Sequence, residues 1–141
     1  MTSLDVVCAL LGAYPNANFP PPSDTTYQPI TVETLGKVGI LWRDVAFAFD
    51  VEDWSQQSDC DDKALLAKLC MSAMHRRASR IVRGAQSAAF GMLYYVRDDT
   101  GTGHALNWAI TERGITEWEP ITQCVVILSE NERRSVYFCF C

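Results

Sequence analysis

The sequence predicts an α+β fold in a single domain spanning residues 1–141. N-terminal helices, one of them over about residues 60–80, pack on an antiparallel sheet of four to five strands drawn from about residues 87–141. Three observations lead there. Apolar residues recur at helical spacing up to about residue 80 and at strand spacing beyond it, and helices followed by strands mark α+β rather than an alternating β-α-β chain. Turn-forming clusters (DDTGTG, ERG, NERR) separate the short apolar and aromatic runs of the second half. The length is that of one domain, with no internal repeat and no linker long enough to divide it.

The elements follow in order. Residues 1–14 read as a short apolar helix. YPNANFPPPSDTTYQP is a loop, because its prolines deny it both helix and central strand. Thr31 with Glu33 and Thr34 starts a helix over about 32–48, whose broad apolar stripe comprises Leu35, Val38, Ile40, Leu41, Trp42, Val45 and Phe49. A polar break, EDWSQQSD, precedes Cys60. From Asp61 to about Arg80, Ala64, Leu65, Leu66, Ala67, Leu69, Met71, Ala73 and Met74 recur at helical spacing, with acids at the start and bases at the end, as the helix dipole favours. Strands are expected at 87–98, 103–111, 115–120, 123–130 and in the terminal SVYFCFC, arranged as a meander.

Composition narrows the function classes. About half the residues are hydrophobic and a fifth charged, which is ordinary for a globular domain. The formal net charge of −5 disfavours nucleic acid, whose phosphates are neutralised by basic side chains. The basic run HRRASRIVR reads as a solvated helix end, and His75 within it as a surface residue. No segment has the ~20 apolar residues that span a bilayer. The start lacks the basic n-region of a signal peptide, so a cytoplasmic setting is expected. Six cysteines (Cys8, Cys60, Cys70, Cys124, Cys139, Cys141) show no framework spacing and no CxxC, so reduced thiols are expected. In an extended CFC the two cysteines face the same way and pack.

Cys60 stands out. A thiol in the first turn of a helix meets unpaired backbone N–H groups, which favour thiolate and can also stabilise an oxyanion. Asp59, Asp61 and Asp62 oppose a thiolate, unless an imidazolium or a metal ion restores the balance. The plainer reading makes Asp59 a helix cap, Asp61 and Asp62 dipole partners and Cys60 incidental. A nucleophilic cysteine needs a base, and His104, after a glycine-rich turn, is the candidate. Asn107 falls on the opposite face of its strand. Glu117, Glu119 and Gln123 share the face of His104 if the TERG hairpin loop has an even number of residues, and an odd loop turns them away.

The ordered motifs DCDDKA, GHALNW and WEP resemble the C-terminal papain-like domain of mushroom agglutinins. They also resemble small phage proteins with an Asp-Cys-Asp-Asp-x-Ala core followed by Gly-His-Ala-x-Asn and Glu-Pro-Gln-Thr. The resemblance covers about residues 27–128. It implies a papain-like cysteine peptidase fold with Cys60 as nucleophile, His104 as base and Glu119 as orienting acid. Trp54 corresponds to the family's active-site tryptophan. The family's activity depends on calcium, which makes Asp59, Asp61 and Asp62 metal candidates, although neighbours at a helix start cannot all face one ion. No cofactor is needed for folding. Two departures stand out. Glu-Pro-Gln-Thr becomes Glu119-Pro120-Ile121-Thr122, so that either Gln123 replaces the glutamine or nothing does, and Lys63 replaces a common aromatic. The resemblance touches no lectin module, so carbohydrate binding is not carried over.

Two functions follow as expectations. One is a thiol hydrolase acting on a peptide, protein or other acyl substrate. The other is a non-catalytic, phage-encoded protein that binds a host or virion protein in the host cytoplasm, with aromatics of TYQP and EWEP as contacts.

Overall fold

The computed structural model describes residues 1–49, 59–79 and 84–141. Helix α1 (Ser3–Ala13) starts at a reciprocal cap: Asp5 N–H donates to Thr2 Oγ1 at 3.2 Å, and Thr2 N–H donates to Asp5 Oδ2 at 2.7 Å. A two-residue strand β1 (Tyr27–Gln28) follows, then α2 (Val32–Ala48), capped by Thr31. Leu35, Val38, Trp42 and Ala46 recur every three or four residues and are buried, as the helical pattern requires. Helix α3 (Cys60–Ser79) buries Ala64, Ala67 and Met71. Among the described residues no helix is long and apolar enough to cross a membrane.

The second half builds β2 (Ser87–Ala88), β3 (Phe90–Val96), β4 (Gly103–Thr111), β5 (Gly114–Glu119), β6 (Cys124–Val126), α4 (Glu130–Ser135) and β7 (Phe138–Phe140). Strands β3 to β7 form one five-stranded antiparallel sheet in the order β6-β5-β4-β3-β7, while β1 and β2 pair in parallel apart from it. The α+β class expected from sequence is the observed one.

The details correct the sequence reading in four places. The expected strand at 87–98 divides at Ala89, its first part joining β1 and its second the main sheet. The strand expected at 123–130 shortens to Cys124–Val126. NERR lies in α4 rather than in a turn, because Ser129 and Glu132 form a reciprocal cap. Finally, β7 leaves the meander and pairs with β3 at the opposite edge from β6.

Strand alternation gives the sheet two apolar faces. One carries Phe90, Ala109 and Trp118 against α2 and α3. The other carries Leu93, Leu106, Trp108 and Ile110 against Val6, Leu10 and Tyr14 of the α1 segment. Tyr27 and Trp118, expected as exposed contacts, are both 1% exposed and belong to these cores. All six cysteines are free thiols; Cys139 and Cys141 pack on the α1 side, as their shared orientation predicted.

The start of α3 is fixed from three directions. Trp42 Nε1 donates to the Lys63 carbonyl at 3.1 Å. Asn107 Nδ2, fully buried, donates to the carbonyls of Ala64 and Gly91, each at 3.0 Å. One turn on, Lys68 Nζ donates to the Phe90 carbonyl at 2.7 Å. Partners for buried carbonyls are a strong geometric constraint, and here they set the position of the residue that opens the helix, Cys60.

Candidate active site

Asp59 occupies the cap position of α3: its carbonyl accepts the first intrahelical bond, from Lys63 N–H at 3.2 Å. Cys60 is therefore the first helical residue, where backbone N–H groups lack intrahelical partners. Its side chain is half-buried beside Ala64, Ala105 and Met92. Burial pushes the thiol above its ordinary value. The N–H of Ala105, facing the sulfur, pulls it back, and the charges of Asp59 and Asp61 push it up again. The opposition between helix start and flanking acids, legible in the sequence, is thus present in the fold.

His104 is the second residue of β4, and Ala105 directly follows it. The β4–β5 hairpin has two loop residues, Glu112 and Arg113, between the paired Thr111 and Gly114. Gly114 takes φ 89°, a conformation that favours glycine. The loop is even, so the shared face holds. One step beyond the pair Asn107–Trp118, Glu119 stands across from Leu106, diagonal to His104. His104 Nε2 lies 2.6 Å from Glu119 Oε2, with both side chains nearly buried. Glu119 Oε1 accepts from Ile121 N–H at 3.2 Å. Both carboxylate oxygens of Glu119 are thus engaged as acceptors. This leaves Nδ1 as the ring nitrogen available for chemistry. Tyr95, the cross-strand partner of His104, presents its ring edge-on at 5.8 Å between centroids.

Asp59, Cys60, His104 and Glu119 line one cleft of about 650 Å³. Its walls include Tyr95 and Arg97 from the end of β3 and Ile127 and Leu128 after β6. Among the predicted site residues, Cys60, His104 and Glu119 therefore share a cleft.

The others are placed differently. Gln123, at φ 56°, does not line the cleft; a Cβ on Gly39 of α2 would lie 3.1 Å from its Oε1. Trp54 falls outside the described residues. Glu117, on the face of Glu119, is committed to the core: it accepts from Tyr14 Oη at 3.0 Å and pairs with Arg133 at 3.1 Å. His75 is half-buried rather than solvated, its Nε2–H donating to the Ala85 carbonyl at 2.9 Å.

Of the three acids proposed for a metal, Asp62 is turned away to the Asp59 N–H, at 3.4 Å, completing the cap. Among the described residues, the ligand atoms that do gather, within 4.8 Å of one another, belong to Asp59, Cys60 and Asp61. Asp59 and Asp61 are hydrogen-bonded side chain to side chain, a bond that holds the Asp59 carboxyl low and the Asp61 carboxyl high. Only Asp59 Oδ1, buried and without a hydrogen-bond partner, remains uncommitted. Calcium takes six to eight oxygen ligands. By themselves, these two mutually bonded carboxyls and a soft thiol do not fit it.

Sequence reasoning missed two contributors. Asn107 was set aside as an orienting group because of its face, and that face is what lets it anchor α3. Tyr95 becomes a neighbour of His104 only through the β3–β4 register, which no local pattern shows.

No family model and no curated protein matches the chain. Among solved structures, the chain is similar to a PSL1a–E64 complex, with a TM-score of 0.70 and 18% identity over 99% of this chain and 50% of that one. It is also similar to Polyporus squamosus lectin bound to a human-type influenza-binding epitope, with a TM-score of 0.69 and 20% identity over 99% of this chain and 49% of that one. The chain spans about half the length of the structures it matches, and what is shared is the fold.

Proposed function

We propose that this domain is a papain-like thiol hydrolase in which Cys60 is the nucleophile, His104 the general base and Glu119 the group that orients the imidazole. The observation that carries the reading is the 2.6 Å bond between His104 Nε2 and Glu119 Oε2 in the cleft that Cys60 also lines. Glu119 fixes the tautomer: Nε2 bears the proton, and Nδ1 is left as the base. Cys60 gives its proton to Nδ1, and the thiolate adds to the carbonyl of a peptide or other acyl compound. The oxyanion that forms is met by the Cys60 N–H at the start of α3. His104 then returns the proton to the leaving group, and water, deprotonated by the same nitrogen, hydrolyses the thioester. The fold similarity adds support, because E64, present in one of the similar structures, inhibits cysteine proteases.

Exposure to excess E64 followed by peptide-resolved mass spectrometry tests the assignment. One adduct is expected on Cys60, lost in His104→Ala. Modification of Cys60 no faster than that of the exposed Cys8 and Cys124 rejects it.

One observation favours a second reading, a peptide-binding cleft without turnover: burial and two carboxylates hold the resting thiol protonated. A peptide retained with equal affinity by wild type and Cys60→Ala, and cleaved by neither, would select that reading.

A further inference from the structure

The walls of the cleft differ in chemistry. Among the described residues, four carboxyl groups line it (Asp59, Asp99, Glu119 and Glu132) against one guanidinium, that of Arg97. Arg97 is bound to Asp99, Nη2 to Oδ2 at 2.6 Å, so the two charges offset each other. Glu119 is engaged with His104, and Glu132 accepts from the N–H groups of Asp98 at 3.2 Å and Ser129 at 2.9 Å. Backbone amides carry no net charge, so the carboxylate of Glu132 is held in place without being offset. Asp59 adds a buried oxygen, Oδ1, that has no partner. The segment after β5 adds Ile121, Val126, Ile127 and Leu128 to the lining. Ile127 is 89% exposed, an apolar side chain standing free at the cleft. A cleft lined by one sign of charge concentrates ligands of the other sign, and an exposed apolar wall beside it takes an apolar neighbour.

We propose that the cleft selects cationic peptides, with a lysine or arginine side chain lying between Asp59 and Glu132 and an adjacent apolar side chain on the Ile121–Ile127 wall. This rests on the reading of the cleft as the substrate site. The acidic wall also disfavours acidic peptides, since an added carboxylate meets those of Asp59, Glu119 and Glu132, and among the described residues the one guanidinium lining the cleft is already paired with Asp99. The selectivity is electrostatic and weakens with salt.

Thiol probes of opposite charge read the field at Cys60 whether or not a peptide is cleaved. A trimethylammonium-bearing and a sulfonate-bearing methanethiosulfonate each transfer their sulfenyl group to the Cys60 thiolate, forming a mixed disulfide and releasing methanesulfinate. Rates are followed by peptide-resolved mass spectrometry and normalised to a small uncharged thiol. At low ionic strength the cationic probe is expected to react about tenfold faster, and the ratio is expected to shrink in high salt. Asp99→Asn combined with Glu132→Gln is expected to cut the ratio about threefold; Gln also serves the capping position of Glu132. Matched Lys- and Glu-containing peptides should show the same order in kcat/KM. A ratio within twofold of unity, or one unchanged by the double variant, overturns the proposal. The catalytic reading fails separately, if an uncharged reagent modifies Cys60 no faster than Cys8 and Cys124.

Discussion

Glu119 is the residue whose chemistry is most constrained. Both of its oxygens accept, one from His104 and one from the Ile121 N–H. Glutamine has one acceptor oxygen and one donor nitrogen, so Glu119→Gln sets a donor against either Ile121 N–H or the imidazole. In the second arrangement Nε2 must accept, the proton moves to Nδ1, and the base is lost. The variant is therefore expected to lower the Cys60 alkylation rate at neutral pH by about 10²-fold or more, with the fold intact by circular dichroism. A second residue-scale outcome concerns Asp61. Its carboxylate is among the charges that raise the Cys60 thiol, and its side chain is hydrogen-bonded to Asp59. Asp61→Asn keeps a donor toward Asp59 and removes the charge. The pH midpoint of Cys60 alkylation is expected to fall, and the rate at neutral pH to rise by about threefold. An unchanged midpoint would remove Asp61 from the electrostatics of the thiol.

At the scale of elements, β3 and β4 depend on Gly91. It pairs with Trp108, whose indole Nε1 reaches over to donate to the Phe140 carbonyl of β7 at 3.1 Å. A Cβ at Gly91 would lie 1.9 Å from that carbonyl oxygen and 2.6 Å from the indole. The two backbones and the ring close together only because position 91 has no side chain. Gly91→Ala is expected to destabilise the fold by about 2–3 kcal/mol or more, read as a lower midpoint in urea at unchanged m-value. Helix α3 was largely legible in the sequence because its apolar spacing and its acids and bases are local signals. The β4–β5 register was legible as a condition, since parity alone decides which face Glu119 takes, and the two-residue loop meets it. Elements α4 and β1 were not legible. Six residues and two residues carry too little periodicity, and both owe their place to partners remote in the chain.

Across the whole molecule, the two faces of the sheet have separate tasks. The α2–α3 face holds the cysteine helix, and the α1 face is closed by a buried polar bridge. Glu117 accepts from Tyr14, which ends α1, and pairs with Arg133 of α4. Burial and the neighbouring Glu117 carboxylate push the Tyr14 phenol far up, so it stays a donor at all ordinary pH. Arg133→Met would leave the Glu117 carboxylate inside the protein with one neutral donor. The loss is expected to be about 3 kcal/mol, smaller than for a fully buried pair because Arg133 is partly exposed; equilibrium denaturation measures it, and a change under about 0.5 kcal/mol would contradict the role. Sequence alone did not show this bridge, because Tyr14, Glu117 and Arg133 are brought together only by the packing of three elements. The cleft was legible in part for the same reason. Cys60, His104 and Glu119 announced themselves by motif, whereas the approach of the Cys60 sulfur to the Ala105 N–H follows from how Trp42, Asn107 and Lys68 seat α3.

The catalytic assignment is tested most directly by the iodoacetamide alkylation rate of each thiol at pH 7, resolved by peptide mass spectrometry in wild type and His104→Ala. If His104 activates Cys60, the half-buried Cys60 reacts at least about tenfold faster than the exposed Cys8 and Cys124, and the advantage disappears in the variant. A Cys60 that reacts no faster than those two thiols, or equally fast without His104, would contradict the assignment.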